Sequence, residues 1–454
     1  MNVLLIVLDT VRKDHLSCYG YDKNITPYID KLAKNSTLFT KAYSTSSWTL
    51  PSHASMFTGL YTYSHGASQE HLFLEERFTT LAEILRKNGY QTAAFSANPF
   101  VGSGTNMFQG FNHKTEIITK VRKKNFIQKT RESFFHIIHQ HPINFSIKRW
   151  WTLQYKQKKP FFVFINYIDA HAPYIPPKRY IKQNGKKEYM SRIKSLPQNW
   201  PLYYKGDIKY SEEEFELLRG LYDAEIKYLD DSLKDLLEFL SKRKGLKNTL
   251  LIVISDHGEN IGDHGLIDHV FCLYNTTISI PLIINHPYLF PKGEECNSPV
   301  QINDIFPTIT SVCNIKNQYN YDYVYSLLPK YWKEIPNNRI IFSEYFFPKQ
   351  ALNCFPGGIL NNKIPDKYKR ALKSVIIEKN KIIQSSDGSN ELYNLEKDSK
   401  ELNNLYQIKK EEYKILQEKM DYLKKILPKA KYFKSEPSFN KKDIERLKSL
   451  GYIK

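Results

Sequence analysis

The sequence predicts an α/β fold in which a mostly parallel sheet is covered by helices on both faces. Three observations carry that expectation. Residues 3–8, 161–167 and 250–255 are short continuous apolar runs, the length of doubly buried strands rather than of helices. Longer stretches with helical periodicity separate them, as parallel strands require of their crossovers. With 454 residues, 41% of them hydrophobic, the chain can bury a sizeable core, which excludes disorder over most of its length.

Each element follows from its residues in chain order. The first strand, residues 3–8, runs straight into Asp9. In Thr49-Leu-Pro51-Ser52-His53 to Gly59, a proline near the start and a glycine at the end describe a short helix with Thr49 at its N-terminus. That end offers free N–H groups and a positive dipole, which favour an anion and an ionised Thr49 oxygen. Read on this segment alone, Thr49 is better explained as a plain N-cap. Residues 80–88 form a helix closed by Gly89, and residues 91–96 a strand.

Residues 113–159 read as a basic, aromatic-rich helical insertion. Arg122-Lys123-Lys124, Lys148-Arg149, Lys156 and Lys158-Lys159 are interleaved with Phe134, Phe135, Trp150 and Trp151. A solvated basic face explains the pattern; contact with a membrane surface or nucleic acid is the functional alternative. The strand at 161–167 leads to Asp169 and His171, and that at 250–255 to Asp256-His257, His264 and His269. Beyond residue 345, a strand at 374–384, a turn at 385–388 and an amphipathic helix at 411–426 form a smaller segment. The division expected is therefore 1–345 and 346–454.

Lys and Arg total 66 against 47 Asp and Glu, an excess of 19 that should attract anions without choosing among them. Five scattered cysteines lack CxxC spacing, so neither a disulfide framework nor a thiolate zinc site is expected. The opening residues lack a secretory signal, and no apolar run is long enough to span a bilayer, so a cytoplasmic location with at most peripheral membrane contact is expected.

Asp9, Asp169 and Asp256 each follow a strand within two positions. Ligands of open α/β sheets sit at the carboxyl ends of strands, so these side chains are expected to converge. A carboxylate next to an imidazole at Asp256-His257, with two more histidines nearby, is the density of a metal or catalytic site.

These motifs, in this order, resemble the sulfatases of the alkaline phosphatase superfamily. The resemblance rests on residues 2–12, Tyr19-Gly20, Thr26-Pro27, the segment 49–59, the segment 255–269, Asn303-Asp304, Glu391 to Asp398, and residues 447–452. It implies a three-layer α/β sandwich with a large mixed, mostly parallel sheet and a smaller C-terminal α+β subdomain. It also implies one divalent metal ion held by Asp9, Asp256, His257 and the oxygen of Thr49, with Thr49 as nucleophile. Arg12 would support the nucleophile, and His171 and His264 would hold the anion or protonate the leaving group. His269 stands where many sulfatases have a lysine.

Two departures shift the expected chemistry. Sulfatases mature a Cys or Ser to formylglycine, and no formylglycine is expected here, because the methyl group of Thr49 would yield a ketone. A Thr ester must be cleaved by an incoming nucleophile, to which phosphorus is more open than sulfur. Thr10 stands where many sulfatases have a second metal-binding Asp, which opens the site to Mn or Zn beside Ca or Mg. The expected activity is hydrolysis of a sulfate ester or, given Thr49, a phosphate diester or phosphonate ester. The substrate would be an anionic small molecule, glycan or lipid ester, and no nucleic acid is expected. A phospho-alcohol headgroup transferase and a non-catalytic anion-binding protein are the alternatives.

Overall fold

The structure is a computed structural model that describes every residue except 118–139, 157, 182–191, 194, 317–322, 356, 359–363, 432–434 and 454. Its main sheet has eight strands: β1 (Asn2–Leu8), β2 (Thr37–Phe39), β3 (Gln91–Ser96), β4 (His113–Glu116), β5 (Phe161–Tyr167), β6 (Thr249–Ile254), β7 (Leu282–Asn285) and β8 (Glu294–Cys296). Their spatial order is β8-β2-β7-β6-β1-β5-β3-β4. The strands β6, β1, β5, β3 and β4 are mutually parallel, whereas β7 runs against both β6 and β2. The sheet is thus mixed and mostly parallel.

Central position explains the unbroken apolar runs. Val3 pairs with Phe162 on one side and Leu250 on the other, and every residue from Val3 to Leu8 is buried. A strand covered on both faces has no use for polar alternation. In the same register Leu8 lies opposite Tyr167 and Val7 opposite Ile254, so β1, β5 and β6 end together.

Helix α1 (Thr49–Thr58) ends in Gly59 at φ 75°, a left-handed C-cap that glycine adopts without strain. Helix α2 (Leu81–Lys87) carries a capping box between Thr80 and Glu83. Helix α3 (Pro142–Leu153) revises the reading of the basic insertion. Trp150 packs on Phe95 and Trp151 on Phe161, and both indoles are buried, so they are core rather than a membrane or nucleic-acid surface. The Arg122 to Lys124 cluster, Phe134 and Phe135 lie outside the described residues. Helix α4 (Glu212–Lys242) opens on a Ser211/Glu214 capping box and buries a long leucine-rich stripe. Helix α5 (Ile305–Val312) follows the main sheet. No helix among the described residues is long and apolar enough to cross a membrane.

The smaller sheet is antiparallel and ordered β9 (Ile341–Tyr345), β10 (Leu372–Ile377), β11 (Asn380–Ser385), β12 (Glu391–Asn394). It begins ahead of the 345/346 division. Residues 374–384, read from sequence as one strand, are a hairpin that turns at Glu378, φ 53°. Glu-Lys carries none of the usual turn signals, which is why the break was not visible. Helix α6 (Lys410–Ile426) lays Tyr413, Leu416, Met420 and Leu423 against Val375 and Ile382 of this sheet. The chain then returns through α7 (Lys441–Ser449), and Leu447, Leu450 and Tyr452 join the main core.

Candidate active site

Adjacent parallel strands bring their carboxyl ends to one place. Asp9 follows β1, Asp256 and His257 follow β6, Asn98 follows β3, and α1 delivers Thr49 as its first residue. All five side chains are fully buried. Thr10, held at φ 60°, turns the chain after β1 so that its N–H donates to Asp256 Oδ1 at 3.2 Å. The His257 N–H donates to the same oxygen at 3.0 Å. Asn98 and Asn166 donate from Nδ2 to Asp9 Oδ2 at 2.8 and 3.1 Å.

Each carboxylate therefore has one satisfied oxygen. The other two, Asp9 Oδ1 and Asp256 Oδ2, are buried without a hydrogen bond, as is Thr10 Oγ1. His257 Nδ1 donates to the Gly258 carbonyl at 2.9 Å, which leaves Nε2 as a lone pair. That nitrogen lies 3.1 Å from Thr49 Oγ1, whose hydroxyl donates to it, and 3.3 Å from Asp256 Oδ2. Asn98 Nδ2 donates to Thr49 Oγ1 at 3.3 Å.

The donor set fits a cation. Ligand atoms of Asp9, Asp256 and His257 all lie within 4.8 Å of one another, and a lone pair facing a bare carboxylate oxygen is repulsive unless positive charge lies between. Without a cation, burial and the neighbouring Asp256 push the Asp9 carboxyl up to about 7. Burial also pulls the His257 imidazole down to about 3, the neutral form a metal ligand needs.

A second layer adjoins this cluster. The rings of His269 and His257 lie 4.4 Å apart, and His171 lies 4.9 Å from His269. His269 Nδ1 sits 2.9 Å from Asp268 Oδ1 and 3.3 Å from Glu259 Oε1. Burial opposes its charge, but the two carboxylates win and hold the imidazole well above its ordinary value. Burial alone would raise Asp268 too, yet His269 holds it down to about 2. The two carboxylates thus favour the charged form of the buried His269 imidazole.

Three residues expected at the site sit elsewhere. The Arg12 guanidinium is spent on Asp14, Asp263 and the Glu259 carbonyl and makes no hydrogen bond to Thr49. His264, at φ 53°, stacks on Tyr274 at 3.6 Å. Both line a wide cleft of about 1320 Å³ beside the smaller sheet rather than the buried cluster. Asp169 accepts from His141 Nε2 at 3.0 Å and does not join Asp9 and Asp256. Asn98 had a usable signal, since it follows β3 at the same two-residue offset as Asp256 follows β6. Asn166 lies inside an apolar strand and had none, and the family-like segment 447–452 did not mark Tyr452 as a neighbour of the site.

A hydroxyl at a helix N-terminus beside a buried carboxylate–imidazole cluster, on this sheet, is the arrangement that metal-assisted hydrolysis of an anionic ester requires. The sequence model of the sulfatase family matches residues 1–315, and the chain belongs to that family. It is 24% identical to the uncharacterized sulfatase YidJ of Escherichia coli over 69% of this chain and 68% of that one. It is 25% identical to an ulvan-active sulfatase of Formosa agariphila over 69% of this chain and 62% of that one. Among solved structures, the phosphonate monoester hydrolase of Agrobacterium radiobacter superposes with a TM-score of 0.73 at 21% identity, over 93% of this chain and 94% of that one. BT4656, solved with D-glucosamine-2-N,6-O-disulfate, superposes with a TM-score of 0.70 at 17% identity, over 93% and 97%.

Proposed function

We propose that this sulfatase-family hydrolase cleaves an anionic ester through a covalent Thr49 intermediate, and that phosphate diesters and phosphonate esters are preferred to sulfate esters. The observation that carries the reading is the placement of Thr49 Oγ1, 3.1 Å from His257 Nε2 at the N-terminus of α1, beside two buried carboxylate oxygens that make no hydrogen bond. Asp9, Asp256, His257 and Thr49 would hold one divalent cation, which supplies a lowered hydroxyl pKa and neutralises the ester's charge. The residues of the chain do the rest. Asn98 orients the Thr49 oxygen, and the α1 terminus stabilises negative charge on it. His269 would present positive charge to the anion, and His171, beside it, would assist the leaving oxygen once its ring is freed from Tyr452.

Similarity in fold to phosphonate monoester hydrolases from Agrobacterium radiobacter and Silicibacter pomeroyi supports the phosphorus preference. BT4656, bound to a disulfated glucosamine, and Ps i-CgsB, solved with a neocarrahexaose, support an anionic glycan as one substrate class. The test is a panel of matched sulfate, phosphate diester and phosphonate esters of one leaving group, run with Mn, Zn, Ca and Mg in turn. Faster turnover of the phosphorus esters is expected; a preference for the sulfate ester would overturn the substrate assignment.

A further inference from the structure

The last described turn of the chain enters the second layer of the site. Gly451 at φ 85° redirects the backbone after α7, and the Tyr452 ring packs 4.9 Å from Phe100 and 6.4 Å from Trp48, the residue before Thr49. The Tyr452 carbonyl accepts from Gln350 Nε2 at 2.8 Å and from Cys354 Sγ at 3.0 Å. So anchored, the Tyr452 hydroxyl lies 2.8 Å from His171 Nε2 and 2.8 Å from His269 Nε2. One oxygen bridges two imidazoles, and all three side chains are buried.

Counting hydrogens gives the bridge a direction. His171 Nδ1 faces the Ala172 carbonyl, which can only accept, so Nδ1 carries a hydrogen, and in the neutral ring Nε2 is then a lone pair. The Tyr452 O–H therefore donates to His171 Nε2. With its single hydrogen spent, the Tyr452 oxygen accepts from His269 Nε2, whose Nδ1 is already directed at Asp268 and Glu259. The neutral His171 ring is thereby held as one tautomer, and both nitrogens of His269 are directed to fixed partners.

We propose that Tyr452 is a positioning residue of the ester-cleaving site, whose hydroxyl locks His171 and His269 in the tautomer and orientation that face the Thr49 cluster. The inference rests on the ester hydrolase reading, and it adds a working residue from the far end of the chain. A purely structural tyrosine would need its ring contacts and not its oxygen. Small misplacement of catalytic groups costs up to about 100-fold in rate, so the effect belongs in kcat rather than KM.

The test uses the full chain with Tyr452→Phe, which keeps the ring against Phe100 and removes only the oxygen. On the best ester of the panel, kcat is expected to fall roughly 10- to 100-fold with KM within about threefold. Removal of residues 451–454 should lower kcat at least as far. In ¹⁵N-labelled protein, the Nε2 resonances of His171 and His269 should both move in Tyr452→Phe, whether or not any ester is turned over. Unchanged kcat, or imidazole resonances that stay in place, would overturn the proposal. A rise in kcat/KM would overturn it too, because the tail would then be blocking the imidazoles. If the wild type cleaves no ester, the hydrolase reading fails while the resonances still decide whether Tyr452 sets the two histidines.

Discussion

At the scale of single residues, the site is defined by what its polar atoms lack. Asp9 Oδ1 and Asp256 Oδ2 are buried without a hydrogen bond, a state that costs several kcal/mol unless positive charge is supplied. Divalent cation should therefore stabilise the fold by about 2.7 kcal/mol at a hundredfold excess over Kd, read as a rise in Tm. Asp256→Asn should lose both that rise and the activity. An equal rise in the variant would place the cation elsewhere. Asp9, Asp256 and His257 are legible as candidates because each stands one to three residues after a central strand, and the structure brings them together. It does not bring Arg12 and His264 to them, because adjacency in sequence says nothing of direction: left-handed backbone at His264 carries its ring onto Tyr274.

Among the elements, α3 and β9 carry the clearest consequences. The alternation of charge and rings in the basic insertion fits a solvated helical face in sequence and left surface contact as the alternative. On α3 the helical period sorts them, so that the indoles of Trp150 and Trp151 face the sheet while Lys148 reaches Asp235. Trp150→Ala should cost about 3–5 kcal/mol in denaturant unfolding; a loss below about 1 kcal/mol would mean the indole is not core. On β9, burial raises the Glu344 carboxyl from 4.5 to about 7, against smaller opposing effects of Lys373 and the Tyr63 N–H. Between those values the folded state holds the proton more tightly than the unfolded chain, so this group's contribution to stability falls as pH rises through the window. Glu344→Gln should gain on the wild type between pH 4.5 and about 7, by roughly 3 kcal/mol at most, and hold that lead above it. A Tm difference that is constant across pH would contradict this.

For the whole molecule, the order of the strands turns scattered motifs into one site. Apolar run length was enough to predict the parallel sheet, and ordered motifs were enough to identify the family, but neither states which strands are neighbours. Only the order β6-β1-β5-β3 shows that Asn98 meets Asp9 and that Asp169 turns to His141. The excess of basic residues also finds its place: the site is built from acids and imidazoles, so those charges can act by steering anions over the surface rather than in the chemistry. Thr49 as nucleophile is decided by ester turnover of purified Thr49→Ala with saturating metal. Turnover should fall at least about 1,000-fold in Thr49→Ala, with part of it kept in Thr49→Ser; wild-type turnover in Thr49→Ala would contradict the assignment.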